Sequence, residues 1–397
     1  MKNNLALITL SGKDHPGISA ELLSALSQHD ICIEDMGQTL THGLLSLSVL
    51  VRHHDNSPID QSTVLKEIEK TSKELDMVLD CKFVTSKDDV FLKGEKYIVS
   101  CVALSGISTE FLRDVTKTLA ENQINIQRIN NITEHEFKAL DIFVQATKAG
   151  CDWESLKEKF ITISNTHKID LALLKNDVWR RNKRLIVFDM DSTLIQSEVI
   201  VEMAKVHNVG EKVHDITEKA MNGEYDFEES LKQRVALLKG LKEDKLKEIL
   251  GEIKLTDGVK EFIQAVKSLG YKVAIISGGF NYFAKYFKDQ LGLDYAFANE
   301  LEIKNGELTG NVQGSIVNAE KKALLIEMLA QQENIKMEQV VAIGDGANDL
   351  PMLAKAGLGI AFHAKDVVKK NAKQHMSHGA MDSILYFLGI PGAKEYN

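Results

Sequence analysis

The stretch Leu185–Glu198, LIVFDMDSTLIQSE, decides how this chain is read. Four apolar residues, Leu185 to Phe188, give the pattern of a strand buried on both faces. Two carboxylates, Asp189 and Asp191, follow at once, and like charges at the mouth of a buried strand repel. The arrangement recurs downstream. Val273–Ile276 runs into Ser277, Gly278 and Gly279, and Val340–Ile343 runs into GDGAND, Gly344 to Asp349. Another strand pattern lies at Leu358–Phe362, with helical patterns between these segments. Strands alternating with helices imply a parallel sheet covered on both faces, which binds ligands beyond the carboxyl ends of its strands.

The chemistry expected at those ends follows from the residue types. Asp189, Asp191, Asp345 and Asp349 cannot all remain ionised together without a cation. Oxygen donors of this kind suit magnesium, held by a few carboxylates together with substrate phosphate and water. Ser277-Gly278-Gly279 offers a hydroxyl and backbone N–H groups to an anion. Lys322, early in the helical segment NAEKKALLIEML, would neutralise a phosphate, and Lys321 beside it is a rival for that place. A cation, a lysine, a hydroxyl and backbone donors together suit phosphoryl transfer, where catalysis is mostly positioning and charge neutralisation.

The rest of the chain sets limits on partners. Its 397 residues are enough for two or three domains, and 44% hydrophobic with 26% charged residues is ordinary globular composition. The net charge is −9, and the basic clusters Arg180, Arg181, Lys183, Arg184 and Lys369, Lys370 are short, so no nucleic-acid partner is expected. No apolar run is long enough to span a bilayer, so no membrane partner is expected either. The N-terminus reads as a strand running into a turn rather than a signal peptide, which places the chain in the cytoplasm as an expectation. Cys32, Cys81, Cys101 and Cys151 lack paired metal spacing and read as buried or free thiols.

Ahead of Leu185 lies a weak repeat. Leu10-Ser11-Gly12 is followed by Ile18, Leu22 and Leu26 at helical spacing and by alternating Ile31 and Ile33. Leu104-Ser105-Gly106 is followed likewise by Phe111, Val115, Leu119, Ile124 and Ile126. The offset is 94 residues at the leucine-serine-glycine and 93 thereafter. With strand patterns at Leu44–Val51 and Leu140–Ala146, each copy reads as a small βαββ-type module, its first strand ending in a turn at leucine-serine-glycine. The charged segment Leu173–Arg184 marks the boundary after the second copy. Glu198 to about Lys254 reads as helices throughout, and Asn305-Gly306 is a hairpin signal.

DMDST, SGG, the downstream lysine and GDGAND, in this order, resemble the four motifs of the haloacid dehalogenase-like phosphatases. With the helical insertion and NGEYDFEESLKQRVALLKG, the resemblance narrows to the phosphoserine phosphatase family and covers Arg184 to the C-terminus. The front modules resemble ACT domains, with DHPG (Asp14 to Gly17) as the turn signature and Pro16 at a helix start. The second module has GISTEF in its place. The implied fold is α/β: a Rossmann-like parallel sheet with a helical cap at about 198–255 inside residues 179–397, preceded by α+β ACT-like modules at 1–85 and 86–178.

The resemblance also implies roles. Asp189 is the nucleophile that becomes an aspartyl-phosphate, and Asp191 is the general acid and then base. Magnesium is held by Asp189, the Asp191 carbonyl and Asp345, with Asp349 orienting them. Ser277, Gly278 and Lys322 hold the phosphate, Lys322 being selected by its 23-residue spacing to Asp345, and Asn348 supports them. Glu198 reads the substrate ammonium and Arg234 its carboxylate. Phe227 and Met221 form an apolar lid. The expected activity is magnesium-dependent hydrolysis of O-phospho-L-serine, the last step of serine synthesis, in a homodimer with an amino-acid effector at the ACT-like modules. The alternatives are transfer of the phosphoryl group to an alcohol such as homoserine, and a non-enzymatic amino-acid sensor.

Overall fold

The computed structural model describes residues 5–54, 61–84, 95–133, 136–146, 151–221 and 224–392. The chain forms two compact units, Met1–Leu92 and Lys93–Asn397. No helix among the described residues is long and apolar enough to cross a membrane.

The first unit runs β1 (Leu5–Lys13), α1 (Ile18–Ser27), β2 (Ile31–Thr41), β3 (Leu44–His53), α2 (Gln61–Glu74) and β4 (Val78–Val84). Its antiparallel sheet has the order β2-β3-β1-β4. Ile18, Leu22 and Leu26 of α1 pack on Ile8, Leu10, Leu47 and Val49, with Val64 and Ile68 of α2 beside them. The unit is therefore βαββαβ rather than βαββ: a second helix and a fourth strand complete it. Leu10-Ser11-Gly12 lies inside β1, not in a turn. Helix α1 starts after Gly17, whose φ of 106° only glycine adopts readily, so Pro16 precedes the helix rather than opening it.

The second unit opens with the same topology: β5 (Lys96–Val102), α3 (Thr109–Glu121), β6 (Ile124–Asn131), β7 (Ala139–Ala146), α4 (Trp153–His167) and β8 (Asp170–Lys175). The sheet order is β6-β7-β5-β8. Here Leu104-Ser105-Gly106 does lie in a turn, and α3 starts on Ser108, whose side chain accepts from the Phe111 N–H at 3.2 Å. Alternation along the strands sends Val99, Cys101, Leu140 and Ile142 toward α3 and α4. It sends Ile98, Val102, Ala139, Ala172 and Leu174 into the core of the α/β module that follows.

That module contains β9 (Leu185–Phe188) and four helices: α5 (Val199–Val206), α6 (Gly210–Met221), α7 (Phe227–Ala236) and α8 (Glu243–Glu252). It continues with α9 (Val259–Ser268), β10 (Lys272–Phe280), α10 (Asn281–Leu291), β11 (Tyr295–Lys304), β12 (Glu307–Gln313) and α11 (Ala319–Gln332). It ends with β13 (Val340–Gly344), α12 (Leu350–Lys355), β14 (Leu358–Phe362), α13 (Asp366–Asn371), β15 (Gln374–Met376) and α14 (Ile384–Phe387). The sheet order is β12-β11-β10-β9-β13-β14-β15, parallel except for the β11–β12 hairpin, which turns at Asn305 and Gly306 with φ of 55° and 78°. Ile186, Phe188, Val273 and Ile275 fill one side of the sheet, and Leu185, Val187, Ala274 and Ile276 the other.

The charged segment before β9 is packed rather than a loose linker. Arg180 is buried, and its guanidinium donates to both oxygens of buried Asp141 at 2.6 and 2.9 Å and to the carbonyls of Tyr386 and Phe387. Asp170 of β8 accepts the N–H groups of Ser377, His378 and Gly379 at 2.7, 3.0 and 2.7 Å. Gln374 pairs with both backbone groups of Leu173.

His375 is buried at this junction, and its Nε2 has no hydrogen-bond partner among the described residues. Burial is the main force lowering its pKa from 6.5 to about 4; Lys369 and Lys157 add to it and Asp170 opposes. The unfolded chain therefore takes up a proton that the folded one refuses. Stability present above pH 6.5 is lost as pH falls toward about 4, by up to about 1.4 kcal/mol per pH unit. Thermal melts between pH 7 and 4 are expected to show a shallower loss for His375→Gln than for the unaltered protein; equal slopes would contradict this.

Candidate active site

Three neighbouring strands, β10, β9 and β13, bring their carboxyl ends together at the centre of the parallel sheet. Asp189 follows β9, and Asp345 follows β13. The chain then turns irregularly through Met190–Leu194, with Ser192 in the left-handed region at φ 56°. A non-glycine residue there stores strain, which tertiary contacts must hold. Ser192 Oγ donates to Glu198 Oε1 at 2.9 Å. Asp191 Oδ1 accepts the N–H of Val199, the first residue of α5, at 2.7 Å. The two aspartates of LIVFDMDSTLIQSE thus face different neighbours.

Asp189 meets a lysine. Lys322 is fully buried, and its ammonium donates to Asp189 Oδ1 at 2.5 Å and Asp349 Oδ1 at 2.6 Å. Burial works to lower its pKa, but the two carboxylates outweigh burial and hold it above the ordinary value. Lys321 turns away to Ser315. Asn318 caps α11 through the Lys321 N–H at 2.9 Å and so sets where the helix begins.

Burial, with Asp349 next, pushes the Asp189 carboxyl well above its ordinary range, and Lys322 opposes the shift. Burial and then Glu198 raise Asp191 to about 7. Burial and Asp349 raise Asp345 to about 6 against a hydrogen bond from Thr193 Oγ1 at 3.0 Å. Asp189, Asp345 and Asp349 each offer an oxygen within 4.8 Å of the others. A hard, oxygen-only donor set of this size fits a divalent cation such as magnesium. Asp349 was expected behind the metal ligands. Its Oδ1 binds Lys322 and its Oδ2 accepts the Gly346 N–H at 3.0 Å, so its carboxylate is oriented from both sides.

Ser277 is buried at the end of the apolar part of β10. Its Oγ accepts the Gly279 N–H at 2.8 Å and donates to Asp191 Oδ2 at 3.3 Å. Gly278 lies against Phe227 of α7, and a Cβ there would stand 2.9 Å from the ring. The neighbouring Glu228 accepts from Asn318 Nδ2 at 3.0 Å, which ties α7 to the start of α11. Asn348 lies in the single turn Ala347–Asp349 beside Gly346. Arg234 is half-buried on α7 within the electrostatic reach of Glu198 and Asp191, and burial is what lowers its pKa. Glu198 itself is exposed. The Met221 side chain lies outside the described residues. Sequence reasoning passed over Thr193, although it sits within DMDST.

Strand ends carrying paired carboxylates and a serine-glycine loop, with a buried lysine from the start of α11, define a hydrolase of the haloacid dehalogenase-like class. Residues 183–357 match the model of the haloacid dehalogenase-like hydrolase family, and residues 4–82 and 101–174 each match an ACT domain. The phosphoserine phosphatase of Streptomyces coelicolor is 36% identical over 384 residues, 97% of this chain and 92% of that one. That of Archaeoglobus fulgidus is 50% identical over 223 residues, 56% of this chain and 65% of that relative's length. The crystal structure of a probable phosphoserine phosphatase from Vibrio cholerae superposes with a TM-score of 0.61 at 35% identity, covering 76% of this chain and 89% of that one. The chain belongs to the phosphoserine phosphatase family, and as an enzyme it is a phosphatase.

A methyl group at Gly279 would collide with Asp191 Oδ2 and lie 3.0 Å from Met190 and 3.1 Å from Ser277 Oγ. Gly279→Ala is therefore expected to lower phosphomonoester hydrolysis about 100-fold. Gly251→Ala, where a Cβ meets open space, is expected to leave it unchanged. Equal activity in both variants would contradict the packing described.

Proposed function

We propose that the chain hydrolyses O-phospho-L-serine to L-serine and phosphate, with magnesium bound, through a phosphorylated Asp189. The observation that carries this reading is the buried Lys322–Asp189 contact of 2.5 Å, made beside the Ser277-Gly278-Gly279 loop. The buried ammonium holds the Asp189 carboxylate at the end of β9, where it can attack a phosphoryl group. Relatives that match nearly the whole chain and carry the phosphoserine phosphatase name support the choice of ester.

Asp189, Asp345 and the Asp191 carbonyl would hold the magnesium ion, with Asp349 orienting the set. When bound, the ion supplies positive charge against the substrate phosphate and the Asp189 carboxylate. Ser277 Oγ, the Gly278 N–H and Lys322 bind the phosphate oxygens, and Asn348 supports them. Asp189 attacks phosphorus while Asp191 delivers its proton to the serine oxygen, which departs as an alcohol. Asp191, now a carboxylate, takes a proton from water as that water attacks the aspartyl-phosphate. Phosphate leaves and Asp189 is restored. Phe227 against Gly278 excludes bulk water. Glu198 reads the substrate ammonium and Arg234 its carboxylate.

The same reading covers the rest of the chain. Residues 1–85 and 86–178 form ACT-like modules, and residues 179–397 form the phosphatase domain with its cap at about 198–255. The modules would bind an amino-acid effector and build a homodimer, and the enzyme would serve the last step of serine synthesis in the cytoplasm.

Phosphate release from phospho-L-serine with magnesium, compared with a panel of other phosphomonoesters, tests the reading. Selective release is expected, abolished by chelator and by Asp189→Asn. Preference for another ester would overturn the substrate. Label passing to added homoserine rather than to water would turn the enzyme into a phosphotransferase.

A further inference from the structure

Asn299, in β11, has no place in the chemistry described so far, yet its side chain is 2% exposed and hydrogen-bonded at both ends. Its Nδ2 donates to the Gly278 carbonyl at 2.7 Å, and its Oδ1 accepts the Val317 N–H at 2.7 Å. The orientation of the amide is forced. A carbonyl only accepts and a backbone N–H only donates, so the reversed amide would lose both bonds.

Each bond fixes one half of the phosphate site. The Gly278 carbonyl and the Gly279 N–H belong to one planar peptide. Holding the carbonyl aims the N–H, which donates to Ser277 Oγ, and that hydroxyl donates in turn to Asp191. On the other side, Val317 immediately precedes Asn318, the residue that caps α11 and starts the turn carrying Lys322. One buried amide thus spans the loop that offers donors to phosphate and the helix start that offers the ammonium.

We propose that Asn299 is a positioning residue for phosphate binding, setting the spacing between the 277–279 loop and Lys322. This rests on the reading that these groups hold a phosphoryl group. Asp at this position lacks the donor, Leu lacks donor and acceptor, and Gln is one methylene too long, so the role calls for asparagine itself.

A double-mutant cycle tests it. Asn299→Ala, Ser277→Ala and the double variant are compared by calorimetric titration with inorganic phosphate in the presence of magnesium, by kcat and KM for phosphoserine, and by circular dichroism. Asn299→Ala is expected to weaken phosphate binding and lower kcat about 10- to 100-fold while remaining folded. In the Ser277→Ala background the further loss is expected to shrink to about threefold or less, because the loop's hydroxyl is already gone. If Asn299→Ala does not fold, Asn299→Ser takes its place in the cycle. The same full loss in both backgrounds, or a lowered melting temperature with unchanged phosphate affinity, would overturn the proposal and leave Asn299 a plain structural residue. Phosphate titration needs no ester, so the wild-type protein failing on phosphoserine would sink the substrate reading while the cycle still decides this one.

Discussion

The ammonium of Lys322, buried between the carboxylates of Asp189 and Asp349, is the constraint around which the site is arranged. A buried charge is tolerable only when paired and hydrogen-bonded. Here three chain segments must meet to satisfy that condition: the end of β9, the turn after β13, and the first turn of α11. Asn318 fixes where α11 begins, and the adjacency of β9 and β13 fixes the distance between Asp189 and the turn carrying Asp345 and Asp349. The lysine balances part of the charge, and the remaining carboxylate oxygens are what a divalent cation would take.

Close approach explains the glycines around this cluster. Gly278 admits the Phe227 ring, Gly279 admits the Asp191 carboxylate, and Gly344 admits Asp349. A side chain at any of them would displace the group packed against it. The helices α5 to α8 reach the same point from outside. Val199 opens α5 on the Asp191 carboxylate, and Glu228 on α7 bonds to Asn318. The cap is therefore tied both to the second aspartate and to the start of the lysine helix.

Much of this was legible in the sequence because strand ends announce themselves. LIVF before DMDST, VAII before SGG and VVAI before GDGAND are apolar runs cut by residues that no core accepts unpaired. The β11–β12 hairpin was legible from Asn305-Gly306 for a similar local reason. The second helix and last strand of each front module were not. Helix α2 is mostly polar, and its inward positions in the described part, Val64, Ile68 and Ser72, include a serine, so its apolar stripe is thin. The packed junction before β9 was hidden as well. Arg180 and Lys183 look like solvated charges, and only the fold supplies Asp141 and the Glu338 carbonyl that bury them. Asn299 was illegible for the same reason: both of its partners are backbone groups brought to it by tertiary structure.

The proposed chemistry requires Asp189 to carry the phosphoryl group during turnover. The most direct measurement is rapid acid quench of the enzyme with phosphorus-labelled phosphoserine and magnesium, followed by proteolysis and mapping of the label. An alkali-labile label is expected on the peptide containing Asp189, formed and lost at rates that support turnover. Turnover with no labelled peptide, under conditions that trap acyl phosphates, or with the label on another residue, would contradict it.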